Sequence, residues 1–191
     1  DHRDLHSFPT RRSSDLFGKK KQEKKIEESV NEFDSLWNAN LDSIWSITDK
    51  NQFLIAMNGW LCKKCSYGED IEKLSDAEKT FFFCTQLESE VNNGGFSQYF
   101  YNSSGDFANE TLSSLTAIGA NQTADIYRKA FTALGGELPS NRNKREKLLD
   151  KLLTDSVSEI LSDCDTAFYQ YADNLEELNY QYIISNEEHF S

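Results

Sequence analysis

The chain has 191 residues, 32 of them Asp or Glu and 20 Lys or Arg, for a formal net charge of −12. A chain this long builds one domain with a real core but not two full ones, and it holds no run of roughly eighteen apolar residues that would cross a membrane. So acidic a balance argues against direct binding to nucleic acid, and without a charged-then-apolar start the protein is expected in the cytoplasm.

Asp1–Leu16 (DHRDLHSFPTRRSSDL) resembles, codon by codon, the translation of a sequencing-adapter oligonucleotide. It is therefore set aside as a non-native, disordered segment. Its three Asp and three Arg cancel, so the rest keeps the whole net charge. It also takes away His2 and His6, leaving His189 and little scope for histidine chemistry. The cysteines, Cys62, Cys65, Cys84 and Cys164, are too few for a disulfide framework. Cys62-Lys-Lys-Cys65 lacks the second ligand pair of a zinc site and the strand–helix setting of a redox pair. No metal and no cofactor is expected.

Pro139 is the only proline after Leu16, and the apolar spacing speaks for helices throughout. Phe17–Ser46 opens with a basic run, Lys19, Lys20, Lys21, Lys24 and Lys25. It then sets Ile26, Val30, Phe33, Trp37, Leu41 and Ile44 in one continuous helical stripe. A second helix covers Gln52–Cys65. The third starts at a capping box, Ser75 with Glu78 three residues on, and runs through Phe81–Phe83 and Leu87 to Val91. Asn92-Asn93-Gly94-Gly95 then stops it. Phe96–Tyr101 makes a short helical turn, and the loop Asn102–Asp106 ends in a residue that caps the next helix, to about Ile118. Ile126, Tyr127, Ala130, Phe131 and Leu134 mark another helix, closed by Gly135-Gly136. One helix is expected from Arg142 to Ser162, and Phe168, Tyr171, Leu175, Leu178 and Tyr182 form the last stripe. The expected fold is all-α, a single compact bundle of about seven to nine short helices. Residues 17–70 are read as an N-terminal helical extension and 71–191 as the main helical domain.

Acidic residues gather late in the chain. From Leu152 onward there are nine Asp or Glu and no Lys or Arg. Asp155, Glu159 and Asp163 recur every four residues, which on a helix makes a ridge at steps of about 6 Å, facing away from Leu153, Val157 and Ile160. Like charges at this spacing do not help a helix form. A row of carboxylates approaches a nucleic-acid strand in charge density and attracts the basic groove of a DNA-binding protein. Asp165, Asp173, Glu176 and Glu177 extend the row if the last helix packs alongside. An acidic exterior also keeps a protein soluble without any partner.

The stretch Leu87–Gly105 contains Glu90-Val91-Asn92-Asn93-Gly94-Gly95-Phe96-Ser97-Gln98-Tyr99-Phe100-Tyr101-Asn102. It resembles the signature of a bacterial family named for the C-terminal domain of a DNA-mimic protein, with weaker echoes at Ala117–Ala120, Leu138-Pro139 and Asp165–Ile183. The resemblance spans roughly residues 74–190. It implies an acidic, all-helical and dimeric protein, whose partner is a basic DNA-binding protein or transcription regulator. By their chemistry, Glu90, Asn92, Asn93, Gly94, Gly95, Phe96, Gln98, Tyr99, Phe100 and Asn102 read better as architecture than as a site: the Asn and Gly turn the chain and the aromatics return to the core. Two other functions stay open. One is a toxin-neutralising or structural dimer module anchored by Trp37, Trp45 and Trp60. The other is an enzyme with a polar pocket formed by Glu90, Asn92, Gln98 and Tyr99, which no histidine or metal set supports.

Overall fold

A computed structural model describes the backbone of residues 13–191 and the side chains from residue 21 onward. Most of the segment set aside at the start therefore lies outside the described residues. The described part is all α-helix and short 3₁₀ turns, with no strand. In order the helices are α1 (Ser13–Trp37), α2 (Leu41–Ile44), α3 (Lys50–Lys64), α4 (Asp76–Tyr101), α5 (Ala108–Ala117), α6 (Asn121–Ala133), α7 (Arg142–Leu152), α8 (Asp155–Phe168) and α9 (Leu175–Ser185). The all-helical bundle expected from the apolar spacing is what forms.

Local chemistry sets most helix starts. Asp49 accepts the Gln52 N–H at 2.9 Å and opens α3. The capping box at α4 is present in full: Glu78 N–H donates to Ser75 Oγ at 3.1 Å, and Ser75 N–H donates to Glu78 Oε2 at 2.8 Å. Glu78 is fully buried, and Lys64 Nζ reaches it at 2.7 Å while lying over the Trp60 ring.

Three expected helices are broken in the structure, each by a side chain that competes with the backbone ladder. The stripe to Ile44 is interrupted after Trp37, where Asn40 accepts the Ser43 N–H and starts α2 afresh. The run from Arg142 to Ser162 divides at Leu153-Thr154, because the Thr154 hydroxyl caps α8. The last stripe divides at Asn174, which caps α9. Gly94-Gly95 interrupt the helical backbone of α4 where the stop was expected, and Phe96–Tyr101 is a separate helical segment beyond that kink, counted as the second half of α4. Ile26, Val30 and Phe33 stay exposed, since only the far end of α1 meets the body.

Two apolar clusters make the interior. One joins Leu87, Phe96, Phe100, Tyr127, Leu149, Leu161 and Phe168 from α4 to α8. The other joins Phe53, Met57 and Leu61 of α3 to Phe81 and Phe82 of α4 and to Ile183 and Phe190. The N-terminal helices therefore pack on α4 and α9, with Trp37, Trp45 and Trp60 half-buried against this second cluster. The four cysteines are buried and free, and burial pushes the Cys62 thiol up to about 12, so it stays protonated.

Candidate functional site

α8 turns Leu161, Cys164 and Phe168 into the core against α4 and α6, which fixes its rotation. Asp155, Glu159 and Asp163 are then all exposed on the opposite side. Asp155 and Glu159 have no ion pair among the described residues, and Lys129 Nζ stands 3.8 Å from Asp163 with both ends in solvent, a contact that contributes little. Asp155 also sits in the first helical turn, where a negative charge favours the helix dipole.

The longer row expected from the sequence does not form, because α9 lies against α3 and α4 and most of the added acids have internal partners. Asp165, on α8 itself, is half-buried and accepts the Phe96 N–H at 2.7 Å. Asp173 accepts the Thr123 N–H at 2.7 Å and so caps α6. Glu177 is ion-paired to Lys50 at 2.5 Å and takes a bond from Gln181. Glu176 is exposed and unpaired among the described residues, but it lines a cleft on another side of the molecule.

Asp165 leads to the Asn-Asn-Gly-Gly-Phe motif. Gly95 has φ +77° and ψ −179°, a region essentially reserved for glycine, and this breaks the α4 ladder and frees the Phe96 N–H. The Asp165 carboxylate caps that new helix start from across the core. A Cβ on Gly95 would stand 2.4 Å from Asp165 Oδ2. Burial pushes the Asp165 carboxyl up, and the Phe96 N–H pulls it partly back. Glu90 gathers Gln98 Nε2 at 2.7 Å, Asn102 Nδ2 at 2.8 Å and Ser104 Oγ at 3.3 Å. Tyr99 is sealed in the core with its hydroxyl 2.7 Å from Thr111 Oγ1, while Asn92 turns outward and donates to the Tyr171 hydroxyl. Phe96 and Phe100 stack within the aromatic core, whereas Asn93 and Gly94 are exposed on the bend. Glu90, Asn92, Gln98 and Tyr99 thus hold the bend together and share no common pocket.

Arg145, overlooked in the sequence, is the centrepiece of the loop after α4. It is fully buried. Its guanidinium donates to the carbonyls of Phe100, Asn102, Pro139 and Ser140 at 2.7–3.1 Å and pairs with Asp106 at 2.7 Å. Asp106, expected to cap α5, is used for this pair, and α5 starts without a side-chain cap. Gly105 is needed here because a Cβ would lie 2.9 Å from Arg145 Nε. One signal was available: Arg145 is four residues before the buried Leu149, hence on the inward face of α7.

This kinked, internally bonded α4 bend and the helices that close on it coincide with the segment that matches known sequences. A family model described as DMP19-like protein matches residues 72–186, more than half of the chain. The chain belongs to the DMP19-like family. The resemblance read from Leu87–Gly105 is thereby borne out, and the match covers α4 to α9 while leaving α1 to α3 outside it. No curated protein and no solved structure matches the chain.

Proposed function

We propose that this DMP19-like protein is an acidic binding module, not an enzyme, and that Asp155, Glu159 and Asp163 on α8 engage the basic face of a DNA-binding protein or transcription regulator. The observation that carries this reading is the rigid outward display of three carboxylates on a helix whose other side is locked into the core. Family membership supports a DNA-mimic role in general terms. The magnitude limits it: one charge per about 6 Å of helix is roughly half the linear density of a single DNA strand, at about 3.4 Å. The ridge therefore imitates a short stretch of backbone and relies on contacts around it for affinity.

The cysteines, all protonated and buried, suit a reducing compartment such as the cytoplasm. Among the described residues no helix is long and apolar enough to cross a membrane. The polar-pocket enzyme is the weaker reading, since Glu90 and Tyr99 are taken up by internal bonds. The test is affinity capture from a lysate of the source cell at low and high salt, with the wild type and an Asp155→Lys, Glu159→Lys, Asp163→Lys variant as baits. A basic partner should be held at low salt, released as screening shortens to about 3 Å near 1 M, and missed by the variant. Equal capture by a folded triple variant would refute this choice of surface.

A further inference from the structure

Residues 21–35 of α1 are all exposed, about four helical turns in which no face is buried by the rest of the chain. We propose that this segment is an interface for a second copy of the same protein, paired antiparallel through its apolar stripe.

Ile26, Val30 and Phe33 are 58%, 52% and 47% exposed and recur at steps of four and three, the spacing of a seam between two helices. Phe33 stacks on Trp37 at 5.6 Å, so the seam runs on into the half-buried end of the helix. A helical segment of this length is marginal in water unless a packed face supports it. Within one chain that support comes only at the C-terminal end of α1, where it meets α3. Cover for the rest of the stripe has to come from another molecule.

Charge identifies that molecule. Residues 21–25 hold Lys21, Lys24 and Lys25 against a single acid, Glu23, whereas residues 27–34 hold Glu27, Glu28, Glu32 and Asp34 and no base. Turned end for end, a second α1 sets its lysines beside these acids and its acids beside these lysines. A parallel copy brings like against like instead. It also places Glu23, three residues before Ile26 on the same seam, against its own counterpart, while an antiparallel copy moves the two Glu23 side chains to opposite ends. An anionic lipid surface or a nucleic acid fits worse, since residues 21–37 carry more acids than lysines. α1 lies outside residues 72–186, so this face is separate from the family segment and from the α8 ridge.

The test is sedimentation equilibrium of the full chain at low salt, up to about 1 mM, with far-UV circular dichroism as the folding control. The wild type is expected to move from the mass of one chain to that of two as concentration rises. Ile26→Asp with Val30→Asp, both at exposed positions, should weaken association at least about tenfold. Lys21→Glu, Lys24→Glu, Lys25→Glu should also weaken it, because acids then meet acids. Adding Glu27→Lys, Glu28→Lys, Asp34→Lys to that variant should restore association to within a few-fold of the wild type, since opposite charges face each other again. In a parallel pair neither reversal changes which charges meet, so loss followed by rescue is specific to the antiparallel arrangement. A chain that stays monomeric throughout, a folded Ile26→Asp, Val30→Asp variant that associates like the wild type, or a first charge reversal that has no effect or is not rescued by the second would overturn the proposal.

Discussion

Asp163 and Asp165 stand two residues apart on α8 and are used in opposite ways. Asp163 points into water with a loose lysine 3.8 Å away, while Asp165 is half-buried and holds the Phe96 N–H at 2.7 Å. On the inner face of α8 the Asp165 carboxylate is bonded to the bend of α4 at Gly95. On the outer face Asp155 and Glu159 have no ion pair among the described residues, and Asp163 has only the loose contact with Lys129. The difference separates architecture from availability: a bonded carboxylate is removed from binding, whereas a free one on a rigid helix remains open to a partner.

The comparison can be broken first at its inner side. Arg145→Met removes a buried charge bonded to four carbonyls and Asp106, and the loss is expected at about 3–5 kcal/mol, the range for breaking a buried ion pair, read as a lower urea midpoint. Gly95→Ala forces a side chain into a glycine-only conformation and against the Asp165 carboxylate. It should destabilise by about 1–3 kcal/mol from backbone strain alone, measured the same way. Asp165→Asn keeps an acceptor for the Phe96 N–H but loses the buried charge. Because the folded carboxyl titrates above its ordinary 3.8, its contribution is full below that value and is lost as pH rises through the raised one. The thermal midpoint of Asp165→Asn should therefore gain on the wild type as pH increases from 3.8, and a pH-independent gap would remove the burial argument.

The outer face should behave differently. Glu159→Lys is expected to leave stability within about 0.5 kcal/mol, as for surface positions without partners, while weakening capture of a basic partner. A stability loss as large as that of Gly95→Ala would place Glu159 in the architecture as well. Smallest of all, Lys50→Ala, which opens the exposed pair with Glu177, should give no measurable change in the urea midpoint.

Legibility follows the same division. The capping box at Ser75 and Glu78, the glycine stop after α6, and the outward side of Asp155, Glu159 and Asp163 depend on residues within four positions of one another. Such patterns are written in a single stretch of chain. The breaks at Asn40, Thr154 and Asn174 are local too, but the apolar stripes run through them and conceal the caps. Asp165 meets Phe96 across 69 residues, Asn92 meets Tyr171 across 79, and Arg145 meets Phe100 across 45. No periodicity records such pairs.

From its own residues the chain thus determined an all-helical fold, the family signature and the ridge on α8, because helices and their caps are short-range objects. Only the tertiary structure decided that Asp165, Asp173 and Glu177 serve the chain itself, that Arg145 lies inside, and that Ile26, Val30 and Phe33 stay uncovered. Those outcomes depend on how separate helices pack, and the angle and depth of that packing are set by the whole core at once.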